Sequence, residues 1–361
     1  MSVPAPALSV LMPVYDGERF LAEAIESILG QSFANFEFII IDDGSRDSSG
    51  DIIDCYAERD RRIRVFHQHN CGLVETLNRG IELARAPLIA RMDADDVSLP
   101  GRFELQLARF DSRPKLGVVG GFVNIVDQLG RFVRLGSYPV GGEELRRFLL
   151  DGAPLAHPTA VLRRDVLTTV GGYRRSYQHA EDYDLWLRIH SAGYEIENVP
   201  TPVLSYRQHG ESVSLRHPRQ QRLATLVARL AHRARTAGLP DPTDAIGAID
   251  ETTINLFPAK LRRDIDAELF VLKHNVLSLA DLPTIVQAVR DYGALPEEAK
   301  RDPRYAQFIL RAARGFWAHR RYGAAVAQLL RALARHPTVA VHLLQGKMRR
   351  LGASLHLRNS N

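Results

Sequence analysis

Cysteine is scarce: Cys55 and Cys71 are the only two among 361 residues. Two are too few for a disulfide framework, and their spacing is not that of metal ligands. No run approaches the roughly 20 apolar residues that a membrane-spanning helix needs. Met1 to Ala7 contains neither a basic nor an apolar stretch, so no signal peptide is expected. These absences together predict the reducing cytoplasm. Low-complexity tracts are missing as well, and a hydrophobic fraction of 45% with 25% charged residues is ordinary for a globular chain. The length suits one large α/β domain with a smaller appendage.

Acidic residues are nearly absent from the C-terminal part. From Arg301 onward there are twelve Lys or Arg against one acid, Asp302, a charge of +11. The whole chain carries +5, so the first 300 residues carry −6. The basic character therefore belongs to the tail. Such a tail suits an anionic surface, but the body holds no nucleic-acid motif.

Short apolar runs alternate with helical periodicity over the first hundred residues. Leu8 to Met12 reads as a buried strand stopped by Pro13, and Phe20, Ala24, Ile25, Ile28 and Leu29 recur at helix spacing. Phe38 to Ile41 is a β-branched run that ends in Asp42-Asp43-Gly44-Ser45. A helix through Ile52, Ile53 and Tyr56, a strand from Ile63 to Phe66 and a helix from Leu73 to Ala84 follow. The strand Leu88 to Met92 then runs into Asp93-Ala94-Asp95-Asp96. This alternation implies a mainly parallel sheet flanked by helices, in which ligands sit beyond the carboxyl ends of the strands. Pro13-Val14-Tyr15, Asp42-Asp43 and Asp93-Ala94-Asp95 all fall at such ends. Beyond Gly101 the pattern predicts a helix over Phe103 to Phe110, strands near Val118 to Val126 and Thr159 to Leu162, a helix from Asp182 to Ala192 and a strand over Pro202 to Tyr206. After Leu215 the chain reads as helical throughout. Two apolar stripes there, Tyr305 to Trp317 and Tyr322 to Leu333, predict a helical hairpin.

Three clusters carry chemistry. Asp93 and Asp95, one residue apart in a turn after a buried strand, can present two carboxylates to a hard divalent cation such as Mg²⁺ or Mn²⁺. The plain alternative is a solvated acidic turn in which Asp96 caps a helix. Asp43 can accept hydrogen bonds from a base or ribose, or simply shape an Asp-Gly turn. Glu181 and Asp182 open a helix whose dipole favours carboxylates there. They can equally supply a general base.

Taken in order, these pieces resemble glycosyltransferase family 2. The resemblance runs from about Leu8 to Ser214. It rests on Leu8 to Tyr15, Ile39 to Ser45, Asn70 to Leu73, Asn78 to Ile81, Arg91 to Asp96, His157-Pro158-Thr159, Gly171-Gly172, Tyr206-Arg207-Gln208-His209 and Ser212 to Ser214. It implies a GT-A fold, Rossmann-like, with a C-terminal all-helical region. Residues 1–100 would form the nucleotide-sugar-binding half, 101–215 the acceptor-binding and catalytic half, and 216–361 the helical region, basic from 301. It also implies roles. Tyr15, beside Pro13, would pack on the nucleotide base and Asp43 would hydrogen-bond to it. Asp95 would be the main metal ligand, with Asp93 supporting the ribose or the ion. Asp182 would be the catalytic base, with Glu181 beside it. His157, Gly171 and Gly172 fall in acceptor-side loops, and His209 would be a further ligand to metal or diphosphate. Arg207 suits a diphosphate and suits a surface ion pair equally well.

The function implied is an inverting, metal-dependent transfer from a nucleoside-diphosphate sugar, UDP-linked by family frequency. The acceptor expected is a hydroxyl of a glycan or lipid-linked molecule, in bacterial surface polysaccharide synthesis. A non-catalytic sugar-nucleotide-binding or scaffold protein on the same fold is the competing class. Nucleotidyltransfer is disfavoured because Pro13 to Arg19 is a poor phosphate-binding loop. The basic tail is either a helical cap with solvated arginines or a peripheral contact with the inner face of the membrane.

Overall fold

The computed structural model describes residues 5–208, 218–262, 265–274 and 279–337. Strands β1 (Leu8–Val14), β2 (Phe36–Asp42), β3 (Ile63–His67) and β4 (Leu88–Arg91) alternate with helices α1 (Glu18–Leu29), α2 (Ser49–Arg59) and α3 (Leu73–Leu83). The four strands are parallel, in the order β3-β2-β1-β4. Every residue of β2 is buried, as a near-continuous apolar run in a strand covered on both faces should be. Leu21, Ala24, Ile25 and Ile28 form the buried stripe of α1.

The sheet changes direction beyond β4. The later elements are β5 (Val97–Ser98), α4 (Arg102–Leu107), β6 (Leu116–Val126), β7 (Phe132–Gly136), α5 (Gly142–Leu149), β8 (Val161–Arg163), α6 (Arg164–Val170), α7 (Glu181–Ser191) and β9 (Glu195–Arg207). Strand β8 is antiparallel to both β4 and β6, whereas β6 and β9 run parallel. Strands β5 and β7 pair antiparallel with β9 and β6. Nine strands thus form one mixed sheet among the described residues.

Several boundaries differ from the sequence expectation for local reasons. The strand expected from Thr159 starts at Val161, because His157–Thr159 forms a 3₁₀ turn closed by the Thr159 hydroxyl on the Ala156 carbonyl at 2.7 Å. The strand expected over Pro202 to Tyr206 is the end of a 13-residue strand, whose pairing to β6 shifts register around Phe122 and Pro202. Strand β7 has no alternating pattern to betray it, since Phe132, Val133, Arg134 and Leu135 are all exposed.

The chain forms two compact units, Met1–Phe257 and Pro258–Asn361. The first helix after residue 216, Pro218–Thr236, belongs to the first unit: it packs on α7 and buries Leu223, Leu226, Val227 and Leu230. The second unit is built round Ile285, Tyr292, Tyr305, Phe308, Ile309 and Phe316. Its helices Tyr305–Ala318 and Tyr322–Arg335 make the expected hairpin. The second of these buries Ala325, Gln328 and Ala332 and leaves Tyr322, Val326, Leu330 and Leu333 exposed.

Helix α3 lies against β1 at Gly80, where an added methyl would overlap the Leu11 side chain. Leu11 is itself buried and cannot swing away. Gly80→Ala is therefore expected to lower stability by about 1–3 kcal/mol through overpacking, despite alanine's better helix propensity. Chemical denaturation measures it, and an unchanged or raised midpoint would contradict the close approach.

Candidate active site

Strand β4 emerges between β1 and β8, and the Met92 N–H donates to the Leu11 carbonyl at 3.0 Å. The turn that follows is thereby fixed to the end of the parallel layer. Asp93, Asp95 and Asp96 each direct one carboxylate oxygen into a group spanning less than 4.8 Å. Asp96 caps no helix. Its Oδ1 accepts the backbone N–H of Arg207 at 2.8 Å, and its buried Oδ2 has no hydrogen-bond partner among the described residues. Burial, then the charges of Asp93 and Asp95, hold the Asp96 carboxyl well above the usual carboxylate range. Burial raises Asp93 too, against the pull of Arg91. Converging hard oxygens, one of them buried and unsatisfied, are a donor set that fits Mg²⁺ or Mn²⁺, whose charge would relieve the crowding.

Arg207 ties this turn to the end of β9. Its Nε donates to the Asp95 carbonyl at 2.9 Å, its Nη2 pairs with Glu23 at 2.7 Å, and the guanidinium lies 4.4 Å over the Phe20 ring. The residue is buried, so its pairing is not a surface one. Gln208 follows and lines the cavity below; His209 lies outside the described residues, as do Ser212 to Ser214.

Asp43 follows β2 and is buried. It accepts hydrogen bonds from Gln68 Nε2 at 2.6 Å and from the Cys71 and Gly72 amides at 2.9 Å each. Burial alone would raise its carboxyl, but these bonds outweigh it and hold it below the ordinary value. Asp43 thus organises the loop of Cys71 and Gly72, which lines the cavity. Pro13 sits opposite Ile41 in the β1–β2 pairing, and Tyr15 stands exposed just past β1.

Glu181 and Asp182 are the first two residues of α7. Burial, with the adjacent Asp182 charge, pushes Glu181 up to about 7, and burial also raises Asp182. One turn on, the fully buried Asp184 pairs with Arg174 and with Arg188, whose Nε lies 2.8 Å away. Arg188 in turn donates to the Val170 and Gly172 carbonyls. Gly171 and Gly172 both hold positive φ, and a Cβ on Gly172 would strike Asn78. Asn78 grips the next residue, Tyr173, through both of its backbone groups at 2.8 and 2.9 Å. The Tyr173 hydroxyl meets His157 Nε2 at 2.8 Å. Burial, and then the Arg91 charge, drive His157 well below its usual value, so it is neutral. The two glycines therefore shape the turn that carries Tyr173 beside the buried ion network.

A cavity of about 620 Å³ gathers Asp93, Asp95, His157, Glu181, Asp182 and Arg207. Arg91, Arg134, Tyr138 and Tyr206 also line it. Arg91 and Tyr206 stand inside the motifs that carry the family resemblance but drew no role from it, and Arg134 and Tyr138 left no signal in the sequence.

The family model described as glycosyl transferase family 2 matches residues 9–171. The chain is 36% identical to EpsE of Bacillus subtilis, over 58% of this chain and 76% of that one. It is 33% identical to the O-antigen biosynthesis glycosyltransferase WbnJ of Escherichia coli, over 57% and 81%. Among solved structures it resembles S. aureus TarS 1-349 in complex with UDP-GlcNAc, with a TM-score of 0.54 at 18% identity over 94% of this chain and 92% of that one. That last likeness is one of fold.

The acid pair makes a titration measurable. With ¹³C-carboxyl-labelled glutamate, NMR is expected to find one glutamate titrating near about 7. Asp182→Asn should move it down, because a neighbouring negative charge is gone. A spectrum in which every glutamate titrates in the ordinary range would contradict the burial of this pair.

Proposed function

This chain belongs to glycosyltransferase family 2 and is a glycosyltransferase of the GT-A fold, and from that premise we propose an inverting transfer from a nucleoside-diphosphate sugar to an acceptor hydroxyl. The observation that carries the proposal is the placing of two acidic groups in one cavity: Asp93 and Asp95 beyond β4, Glu181 and Asp182 at the start of α7. A module that only binds a sugar nucleotide has no use for the second group.

Asp95, with Asp93 and Asp96, would hold Mn²⁺ or Mg²⁺, which when bound offsets the charge gathering on the departing diphosphate. Tyr15 packs on the base, and Asp43, with the loop it organises, receives the nucleotide. Asp182 takes the proton of the acceptor hydroxyl as that oxygen bonds to the anomeric carbon. The bond from that carbon to the diphosphate oxygen breaks, the nucleoside diphosphate leaves with the electron pair, and the configuration inverts. Glu181 and the neutral His157 face the acceptor. Arg207 contributes by holding the metal-binding turn, since its Nε and Nη2 are already engaged. His209 remains a proposed ligand to metal or diphosphate on the family motif alone. Much of the rate comes from positioning two substrates in a site shielded from water.

UDP is the proposed carrier, in keeping with the UDP-GlcNAc held by the TarS fold relative. A glycan or lipid-linked acceptor in bacterial polysaccharide assembly is in keeping with the name of the WbnJ relative. We also propose cytoplasmic action with peripheral contact at the inner membrane face. The helix Tyr322–Arg335 supports it by exposing Tyr322, Val326, Leu330 and Leu333 within a stretch, residues 303–337, that has seven arginines and no acid.

Incubation with Mn²⁺ and a panel of UDP-, GDP- and dTDP-sugars should release nucleoside diphosphate from one donor. Asp95→Ala and Asp182→Asn should each lower kcat by at least about 100-fold. Product NMR should show an inverted anomeric centre; retention would overturn the mechanism, and binding without release on any acceptor would favour a binding module. Sedimentation with phosphatidylglycerol vesicles should retain the protein and lose the Val326→Asp, Leu330→Asp double variant. Equal sedimentation of the two would dismiss the membrane contact.

A further inference from the structure

Arg91, the last residue of β4, is 4% exposed and lines the cavity beside Asp93, His157, Glu181 and Asp182. Other buried arginines of this unit spend their donors on protein acceptors. Arg102 gives Nε to Gln106 at 3.0 Å and Nη2 to the Arg91 and Pro158 carbonyls at 2.8 and 2.9 Å. Arg188 and Arg207 are bonded through Nε and Nη groups to carboxylates and carbonyls. Arg91 differs. Its Nη1 is paired with Asp93 Oδ2, and its Nε has no hydrogen-bond partner among the described residues. A buried donor left this way is costly, so a group that accepts from it binds with a corresponding advantage.

The chemistry of the site selects that group. A fixed cation aimed at the anomeric carbon would oppose the positive charge that develops there during transfer. Asp93, in contact with the guanidinium, would repel a phosphate oxygen placed at the same spot. A sugar hydroxyl meets neither objection, because it accepts from one neighbour and donates to another. A guanidinium and a carboxylate side by side therefore match two adjacent hydroxyls of one pyranose ring.

Building on the glycosyltransferase reading, we propose that Arg91 is a specificity-determining residue that, paired with Asp93, binds neighbouring hydroxyls of the transferred sugar. Arg91 donates and Asp93 accepts, between the metal-binding turn on one side and Asp182 on the other. The nucleoside diphosphate is held elsewhere, by the Asp43 loop and the Asp95 turn.

The test compares two ligands in the presence of Mn²⁺: the sugar nucleotide chosen by the donor panel, and its nucleoside diphosphate alone. Calorimetry is run on the full-length protein, on Arg91→Lys and on Arg91→Gln. Arg91→Lys keeps a positive charge next to Asp93, so it serves if Arg91→Gln fails to fold. The sugar nucleotide is expected to bind either variant about tenfold or more weakly, the scale of one charge-assisted hydrogen bond. The diphosphate alone should change by less than about twofold. A donor lacking the contacted hydroxyl should bind the unaltered protein and Arg91→Lys alike. Equal weakening of both ligands would overturn the inference and make Arg91 a support for the diphosphate or the metal turn. No weakening of either would overturn it outright. Failure of the unaltered protein to bind any sugar nucleotide would sink the glycosyltransferase reading itself, and the inference with it.

Discussion

Burying carboxylates is the costly act on which this catalytic unit turns. Asp96 beyond β4 and Glu181 at the start of α7 are buried, and their neighbours Asp93 and Asp182 are half-buried; the surroundings raise the protonation of all four. Left uncompensated, a fully buried charge would destabilise the fold by several kcal/mol. The compensation is specific. Arg91 stands among the acids, the Arg207 amide satisfies Asp96 Oδ1, and Asp184 with Arg174 and Arg188 anchors the helix that opens with Glu181 and Asp182. The remaining imbalance, an Asp96 oxygen and an Arg91 Nε without hydrogen-bond partners among the described residues, is what the proposed metal ion and sugar would relieve.

The sheet explains why these groups can meet at all. Strands β1, β2 and β4 run parallel, so Tyr15, Asp43 and Asp93 follow strand ends on one side. At β8 the direction reverses, and the chain on either side of that strand carries His157 and the Gly171–Gly172 turn. The groups proposed to bind the nucleotide and to face the acceptor come from different stretches of sequence, and the mixed sheet joins them.

What was legible in the sequence followed from local rules. The buried runs of β1 and β2, the stripe of α1 and the acidic turn after β4 all announce themselves by period or by type. The motifs at Asp43, Asp95 and Asp182 were recognisable because their order, not any one of them, is informative. What stayed hidden depended on long-range contacts. Arg207 looked like a phosphate partner or a surface ion, and only the pairing of β9 beside β6 brings it to Asp95 and Glu23. The turn of Gly171 and Gly172 is likewise gripped by Asn78, 95 residues from Tyr173, a contact no local pattern announces. Strand β7 was invisible because both of its faces are exposed.

The central claim is that the turn after β4 and the start of α7 bracket a single reaction centre. Crystals grown with Mn²⁺ and the selected sugar nucleotide, measured at the manganese absorption edge, test it most directly. The account predicts one anomalous peak bonded to Asp95, with the sugar lying between that peak and Asp182. A nucleotide bound with manganese located away from the Asp93–Asp96 turn, or a sugar facing away from Asp182, would contradict it.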